Sequence, residues 1–347
     1  MEKTRLELVR KKAVLITGGA VRIPSDISIP FRLSRSTAGP GAGKPAIVLS
    51  FGGLRVKKEI SRDHGDFELV LKDGSYALMH KGATFLENVK FEPTLFHSPE
   101  QAFFNIETSC IYDCKFCFTK RIDSKIVKRL DAEKIIDMIV AASRRDDFKA
   151  VALTSAVAES PHQTAQKMAY IVSRVREQLD PEVPIGVEPY VDTIEDIEML
   201  RAAGADEIKI NIETYNREIF YKICNKLEFD RILKMILNAV RLFGVGKVCS
   251  NIIVGLGESD DNILAGVEHL ARMGCVATLR PLRINNLNKE RLESALGYEL
   301  KAISPDRLIK LGLEHKEILE LYQLSTRSFR TMCHACTCCD LVPFRDF

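Results

Sequence analysis

From about residue 100 onward, the sequence alternates between segments typical of strands and segments typical of helices. Six short apolar segments predict strands at 102–106, 150–154, 185–188, 207–212, 247–254 and 277–282. Between these strands, apolar residues recur at intervals of three and four residues, which predicts helices at about 132–144, 161–178, 193–203, 228–243 and 260–273. Such alternation indicates an α/β protein with a parallel sheet. Six units predict a partial (β/α)6 TIM-like barrel, whose chemistry gathers where the carboxyl ends of the strands open into loops.

The segments on either side of this barrel have different patterns. Residues 1–95 contain apolar runs at 13–16, 46–49 and 67–70, separated by turn clusters such as Gly18-Gly19, and this predicts a small β-rich accessory domain. A last helix is predicted at about 305–323, before a cysteine-rich tail. We therefore expect three regions, namely the accessory domain at 1–95, the barrel at 96–300 and a helical C-terminal extension at 301–347. A length of 347 residues suits one large core with smaller appendages.

Three cysteines follow the first predicted strand of the barrel at Cys110, Cys114 and Cys117. A loop this tight places three thiolates on one concave face, which suits three irons of a [4Fe-4S] cluster. The fourth iron is then open to a small chelating ligand. The alternatives are a structural zinc loop or unrelated buried thiols, but zinc sites typically pair two Cys-x2-Cys knuckles, and no second knuckle lies nearby in the sequence.

The stretch from 105 to 120 resembles the signature of the radical S-adenosylmethionine (radical SAM) superfamily. The resemblance includes the aromatic Phe116 just before the third cysteine, which in that family lies near the adenine of SAM. It implies that Cys110, Cys114 and Cys117 are catalytic, because they hold the cluster that cleaves SAM.

Two further segments at predicted strand ends suit a SAM site. Asn211 and Glu213 alternate along the fourth strand, so both face one side and can converge on a ribose and an amino group. After the fifth strand, Gly255 and Gly257 let the backbone approach a flat ring, and Glu258 follows them. The first segment resembles a motif of lipoyl synthases, and the second resembles one shared by lipoyl and biotin synthases.

One strand end departs from the family pattern. The second strand usually ends in a Gly-Gly-Glu-like turn that contacts the SAM amino group, but here the turn begins with Thr154 and Ser155. Ser155 or the local backbone is expected to serve instead. At the end of the third strand, Glu188 fits either a SAM or substrate contact or a salt bridge within the barrel.

The tail carries Cys333, Cys336, Cys338 and Cys339. Cys338 and Cys339 are adjacent and their side chains diverge, so we expect Cys333, Cys336 and one of this pair to form a three-thiolate set. His334 or a residue from elsewhere could complete it. An auxiliary iron–sulfur cluster is the first interpretation, and zinc or redox-active thiols are the alternatives. The resemblance covers only about 100–285, because lipoyl synthases hold their auxiliary cluster with a different, N-terminal cysteine motif.

Charge and hydropathy exclude several other classes. The N-terminus is charged and lacks the apolar core of a signal peptide, and no run approaches a membrane span. We therefore expect a cytoplasmic protein, where thiols stay reduced, and read the isolated Cys224, Cys249 and Cys275 as ordinary core residues. A net charge of +3 without a concentrated basic stripe gives no case for nucleic acid as a partner.

The resemblance is closest to the two-component, archaeal-type lipoyl synthases. It implies a radical SAM sulfurtransferase that inserts sulfur at an unactivated carbon of an octanoyl chain on a protein lysine. The implied cofactors are the [4Fe-4S] cluster, SAM and the auxiliary iron–sulfur cluster. The implied partners are an octanoylated carrier protein or peptide and a ferredoxin or flavodoxin-like electron donor. The resemblance also allows a second radical SAM subunit. The alternatives are another radical SAM reaction, such as peptide modification or methyl transfer, and a noncatalytic iron–sulfur carrier.

Overall fold

The computed structural model describes residues 3–31, 33–35, 43–122, 130–224 and 226–347, which form two sheets flanked by helices. The first sheet contains seven strands, β1 (Val21–Arg22), β2 (Ser34–Arg35), β3 (Pro45–Phe51), β4 (Leu54–Ser61), β5 (Phe67–Lys72), β6 (Ser75–His80) and β7 (Ala83–Glu92). Their order is β2-β3-β4-β1-β5-β6-β7, and β7 also pairs with β3. The six strands β3, β4, β1, β5, β6 and β7 therefore form a closed ring of paired strands.

A helix, α1 (Lys3–Thr17), precedes the first sheet and corrects one expectation from the sequence. The apolar run at 13–16 was expected to belong to a β-rich pattern, but it forms the last turn of this helix. The buried positions Val9, Lys12, Ala13 and Ile16 are spaced by three and four, as on one face of a helix. A four-residue apolar run has the same appearance in a strand and in a buried helix.

The second sheet confirms the predicted parallel architecture. Its strands are β8 (Gln101–Asn105), β9 (Ala150–Thr154), β10 (Ile185–Glu188), β11 (Glu207–Lys209), β12 (Val248–Val254) and β13 (Val276–Pro281). All neighbouring strands are parallel, in the order β13-β12-β11-β10-β9-β8. Because β8 and β13 stand at opposite ends of this order and no pairing joins them among the described strands, the sheet is a partial TIM-like barrel.

Nine further helices complete the chain in the described residues. They are α2 (Ala132–Ala142), α3 (Pro161–Arg176), α4 (Ile194–Ala202), α5 (Arg217–Ile223), α6 (Phe229–Phe243), α7 (Asp260–Arg272), α8 (Lys289–Leu296), α9 (Pro305–Leu321) and α10 (Met332–Cys336). Several starts are encoded locally: the Ser160 hydroxyl accepts from Gln163 N at 3.2 Å at the start of α3, and Ser304 caps α9 in the same way. None of the described helices is long and apolar enough to cross a membrane.

The tail that contains α10 packs against the amino ends of the barrel strands. The Gln101 side chain bonds the backbone N and O of Met332 at 2.6 and 3.1 Å. The Glu207 carboxylate accepts from the Thr331 N and hydroxyl at 3.0 and 2.5 Å. A Cβ on Gly186 would lie 2.1 Å from the Thr331 hydroxyl, so only glycine fits there. The tail thus lies at the end of the barrel opposite to the Cys110 loop.

Helix α1 holds the tail from its other side. The Lys12 ammonium is fully buried, donates to both oxygens of the Asp346 carboxylate at 2.8 and 2.7 Å and to the Thr337 carbonyl at 2.6 Å. Asp346 is itself only 2% exposed. Removing one partner of such a pair leaves the other charge buried and unpaired, which is strongly destabilising.

We therefore expect Lys12→Met to lower the free energy of unfolding by about 3–5 kcal/mol. Urea denaturation of the purified protein measures this change. The matched control is Lys11→Met, because Lys11 is on the same helix and, among the described residues, pairs only with the exposed Glu7, at 3.2 Å. That control should cost less than about 0.5 kcal/mol. Equal effects of the two substitutions would contradict the anchoring role of Lys12.

Candidate functional site

The loop after β8 brings Cys110, Cys114 and Cys117 together. Backbone bonds from Ile111 N to Val157 O at 2.7 Å and from Lys115 N to Ile223 O at 2.9 Å fix the loop against the barrel. Burial raises the pKa of the Cys117 thiol, and the nearby Cys114 and Cys110 thiols act in the same direction. The three thiols are therefore neighbours in space and partly exposed, as ligands of one cluster require.

Asp113, within this loop, is an anchor that the sequence analysis missed. Its carboxylate pairs with Lys115 at 3.2 Å, Arg121 at 2.9 Å and Arg291 at 2.7 Å. Arg121 also donates to the Cys117 carbonyl. An acidic residue between two of the three cysteines was the available signal, but its partner Arg291 is distant in sequence.

Two other side chains extend the surroundings of the thiols. Cys224, expected to be an ordinary core residue, is buried at the end of α5 and hydrogen-bonds the Cys114 thiol, which raises the Cys224 pKa. Tyr112 lies in the loop and meets Tyr190 edge-on, with ring centroids 4.9 Å apart. Burial raises the Tyr112 pKa to about 12, so this phenol stays protonated at neutral pH.

The residues after β11 form a polar row on the barrel interior. Asn211 donates to the Glu188 carboxylate at 2.9 Å and accepts from Asn251 N at 3.1 Å. Glu188 also pairs with Lys209 at 3.1 Å, so the salt bridge expected as one alternative for Glu188 is present. Glu213 follows in the same row and bridges β12, with its N bonded to Asn251 O at 3.0 Å.

Glu213 has two unusual properties. Its φ of 65° lies in the left-handed region that non-glycine residues rarely adopt. Burial raises the pKa of its carboxyl to about 7, and Lys209 opposes this shift only in part. Strained backbone and a shifted pKa at a strand end are typical of functional sites, where a cationic ligand group would restore the ionised carboxylate.

The raised pKa makes a pH-dependent prediction. A carboxyl whose folded pKa exceeds its unfolded value destabilises the fold as pH rises from about 4.5 towards 7, because ionisation is easier in the unfolded chain. Glu213→Gln should therefore raise the free energy of unfolding by about 1–3 kcal/mol at pH 8 and leave it almost unchanged at pH 4. Urea denaturation of the apoprotein at both pH values measures the difference.

The control for this prediction is Glu218→Gln, since Glu218 is exposed and pairs with Lys222 at 2.6 Å. It should show no gain at pH 8. A wild-type stability that did not fall between pH 4.5 and 7 relative to Glu213→Gln would contradict the buried placement of the Glu213 carboxyl.

The segment after β12 forms a turn that Glu258 stabilises from within. The buried Glu258 carboxylate accepts from Gly255 N at 2.6 Å and from Leu256 N at 2.8 Å. Gly255 and Gly257 have φ values of 110° and 105°. A Cβ on Gly257 would lie 2.3 Å from the Tyr298 hydroxyl, which donates to Leu256 O at 2.6 Å. Glu258 thus shapes the loop, and the two glycines supply the backbone that a flat ring would approach.

The remaining two predicted SAM contacts lie at the same end of the barrel. Ser155 directly follows β9 and donates to the Ala156 carbonyl at 2.6 Å. Phe116 packs on the main core, and its carbonyl accepts from the Asn288 amide at 3.3 Å. Both residues stand at the mouth that the Cys110 loop covers.

In the tail, the Cys333 thiol reaches the polar row of the barrel from below. Its sulfur lies 3.4 Å from Lys209 Nζ and 3.0 Å from Arg280 Nη2. Lys209 in turn forms an ion pair with Glu188, and Glu188 accepts a hydrogen bond from Asn211. A continuous series of polar contacts therefore joins the tail to the residues predicted to bind SAM.

The other tail thiols lie against the first sheet. The Cys338 thiol donates to the Cys336 carbonyl at 3.3 Å, and its interaction with the Cys336 thiol lowers the Cys336 pKa to about 7. Cys339 is partly exposed; desolvation raises the pKa of its thiol, and the nearby Arg280 guanidinium acts against this rise. Arg280 therefore contacts Cys333 and affects the pKa of Cys339, which indicates that Cys333 and Cys339 lie on the same side of the tail, near this guanidinium.

The chemistry of this donor set fits an iron–sulfur cluster. No three His, Cys, Asp or Glu side chains within the described parts of the chain converge closely enough to hold a single metal ion. Thiolate sulfur is the ligand that iron–sulfur clusters take, and the cysteines of a cubic cluster each bind a different iron. The Nε2 atom of His334 lies 3.2 Å from the Thr278 hydroxyl.

Comparison with known proteins agrees with this geometry. Residues 104–270 match the radical SAM superfamily. The chain is 33% identical over 171 residues to a biotin synthase of Acinetobacter baumannii, an alignment that covers 47% of this chain and 49% of that protein. It is 30% identical over 171 residues to a biotin synthase of a Psychrobacter species, covering 48% and 44%. The chain thus spans about half the length of the curated relatives it matches.

Among solved structures, the chain resembles methylornithine synthase with a TM-score of 0.50. The two share 18% sequence identity, and the alignment covers 65% of this chain and 64% of that one. At this identity the likeness concerns the fold alone.

Proposed function

Because the chain belongs to the radical SAM superfamily, we propose that it is a sulfurtransferase that inserts sulfur at an unactivated C–H position, most specifically of an octanoyl chain on a protein lysine. The observation that carries this proposal is the position of Cys333, whose thiol meets Lys209 and Arg280 on the interior of the barrel. A sulfur source held by the tail would border the same space as SAM. The biotin synthases that the chain resembles are consistent with sulfur chemistry.

Each group of residues has a defined task in this proposal. Cys110, Cys114 and Cys117 would hold the [4Fe-4S] cluster, and Asp113 keeps their loop in place. With SAM bound, such a cluster would supply the electron that cleaves SAM and so would start radical chemistry at a substrate C–H bond. Glu213 would bind the SAM amino group.

The neighbouring residues would complete the SAM site and enclose the substrate. Asn211 would bind the ribose, and Phe116, Gly255 and Gly257 would border the adenine. Tyr112 and Tyr190, packed edge-on at the mouth of the barrel, form an apolar wall suited to an alkyl chain.

The tail would hold the auxiliary cluster as the source of sulfur. Cys333, Cys336 and at least one of Cys338 and Cys339 would be its ligands, while Arg280 and Lys209 stabilise thiolate charge. We also propose, from the resemblance, that the enzyme acts in the cytoplasm on an octanoylated carrier protein or peptide. A ferredoxin or flavodoxin-like protein would supply electrons, and a second radical SAM subunit would fit a reaction shared between two chains.

Mass spectrometry of an octanoyl-lysine peptide tests this function. The peptide is incubated anaerobically with the reconstituted protein, SAM and a reductant, and we expect a product in which sulfur replaces hydrogen on the acyl chain. Formation of 5′-deoxyadenosine without any sulfur in the peptide would point to another radical SAM reaction, such as peptide modification. Absence of both products would favour a noncatalytic iron–sulfur carrier.

A further inference from the structure

The first sheet has no task in the reaction proposed above, yet it contacts the cysteine-rich tail directly. The backbone N of Lys57, on β4, donates to the Cys338 carbonyl at 2.8 Å. Lys12, on the helix that packs against β4, donates to the Thr337 carbonyl at 2.6 Å. The tail is therefore enclosed between the barrel on one side and the N-terminal domain on the other.

The Lys57 side chain is the part of this contact that points to a ligand. It is 1% exposed, and its ammonium donates to the His97 carbonyl at 2.7 Å. No carboxylate within the described residues lies at ion-pair distance from this ammonium. Burial lowers the pKa of this ammonium, and the negative groups that act against this shift are the thiolates of Cys336, Cys338 and Cys339 in the tail. A buried charge without a counterion costs several kcal/mol.

A second cation borders the same thiols from the barrel. Arg283 follows β13, and its Nη2 atom is buried without a hydrogen-bond partner among the described residues. Burial lowers its pKa, and Cys339, Asp340 and Glu59 act against this shift. Arg280 and Lys209 each have a carboxylate, Asp340 at 2.9 Å and Glu188 at 3.1 Å. Positive charge thus exceeds carboxylate charge around the thiols. A cluster held by thiolates is anionic and would supply the missing counterion.

We propose that the N-terminal domain forms the outer wall of the tail's cluster site and that Lys57 is a positioning residue that neutralises the charge of the cluster bound there. This inference rests on the auxiliary cluster of the proposed function. It gives the N-terminal domain a specific task, which is to exclude water from the tail thiols and to set the reduction potential of what they hold, because potential depends on nearby charge and solvent exposure.

Lys58 provides a matched control on the same strand. It is 2% exposed, but as the next residue of β4 it points to the opposite face. Its ammonium donates to the Leu15 and Gly18 carbonyls and lies 5.3 Å from the Phe67 ring centroid. Lys57 and Lys58 therefore share burial and strand, and differ in whether they face the thiols.

The test uses the full chain with Cys114→Ala, so that a tail cluster is the cluster observed. Lys57→Met and Lys58→Met are added separately, and two quantities are measured: the rate at which a chelator removes iron, and the midpoint potential from an EPR-monitored redox titration. For Lys57→Met we expect iron loss about tenfold faster and a more negative potential, since a nearby positive charge is removed. Lys58→Met should change neither, and Lys57→Arg should restore both.

Each outcome is decisive. Unchanged iron loss and potential in Lys57→Met would overturn the role of Lys57 while leaving the proposed function intact. Absence of any tail cluster in the Cys114→Ala protein would overturn both the inference and the sulfur-donor role. If Lys57→Met does not fold, Lys57→Gln replaces it, with Lys57→Arg as its charged counterpart.

Discussion

Cys114→Ala is expected to abolish reductive cleavage of SAM while leaving the protein folded. The substitution removes one of the three thiolates that would bind the cluster, and the two that remain are too few to hold it. The barrel loses little packing, because Cys114 is partly exposed in a loop rather than buried on a strand. We expect no detectable 5′-deoxyadenosine after reduction and a change in unfolding free energy of less than about 1 kcal/mol.

Cys224→Ala is the control for this experiment. Cys224 hydrogen-bonds Cys114 but lies outside the three-cysteine motif, at the end of α5. Its variant should retain SAM cleavage. Normal 5′-deoxyadenosine formation by reconstituted Cys114→Ala would contradict the assignment of this loop as the cluster site.

The second large effect concerns the tail. Wild-type protein should bind about eight irons, and the variant with Cys333→Ala and Cys336→Ala should bind about half as many. The double variant should still cleave SAM, because the Cys110 loop lies at the opposite end of the barrel strands. It should transfer no sulfur to the octanoyl-lysine peptide. Iron analysis, 5′-deoxyadenosine and peptide mass are measured on the same preparation.

Cys275→Ala controls for the loss of an unrelated buried thiol. Cys275 is fully buried just before β13, and burial alone raises its pKa. This variant should keep the full iron content. Full iron in the double variant, or zinc in place of iron in anaerobically purified wild type, would exclude the sulfur-donor role of the tail.

The barrel could be predicted because its strands are short apolar runs between strong helical patterns. Strands β9 and β10 have the predicted bounds, since both are buried and bordered by turn residues. The fourth strand was expected to reach residue 212 but the regular ladder ends at Lys209. The alternation of polar and apolar residues continues beyond that point, while the backbone departs from the strand towards the left-handed Glu213. The alternation of side chains therefore cannot predict the residue at which the strand ends.

The site was predictable in part for the same reason. Residues that follow successive parallel strands meet at one end of the sheet, so the motif order alone brought Ser155, Asn211 and Gly255 together. The surroundings of the tail had no such local signal. Cys333 contacts Lys209, 124 positions away, and Cys338 contacts Lys57 on a different sheet. These contacts depend on how the chain ends pack, which periodicity does not encode.

The ion pair between Lys12 and Asp346 joins positions 334 residues apart. On the ribosome, helix α1 emerges before the segment around Asp346, and the Lys12 ammonium stays in water until that segment has been released. The wall that Lys57 contributes is complete only after that segment has docked beneath the barrel. A cluster in the tail site would therefore be loaded only after translation has passed residue 346.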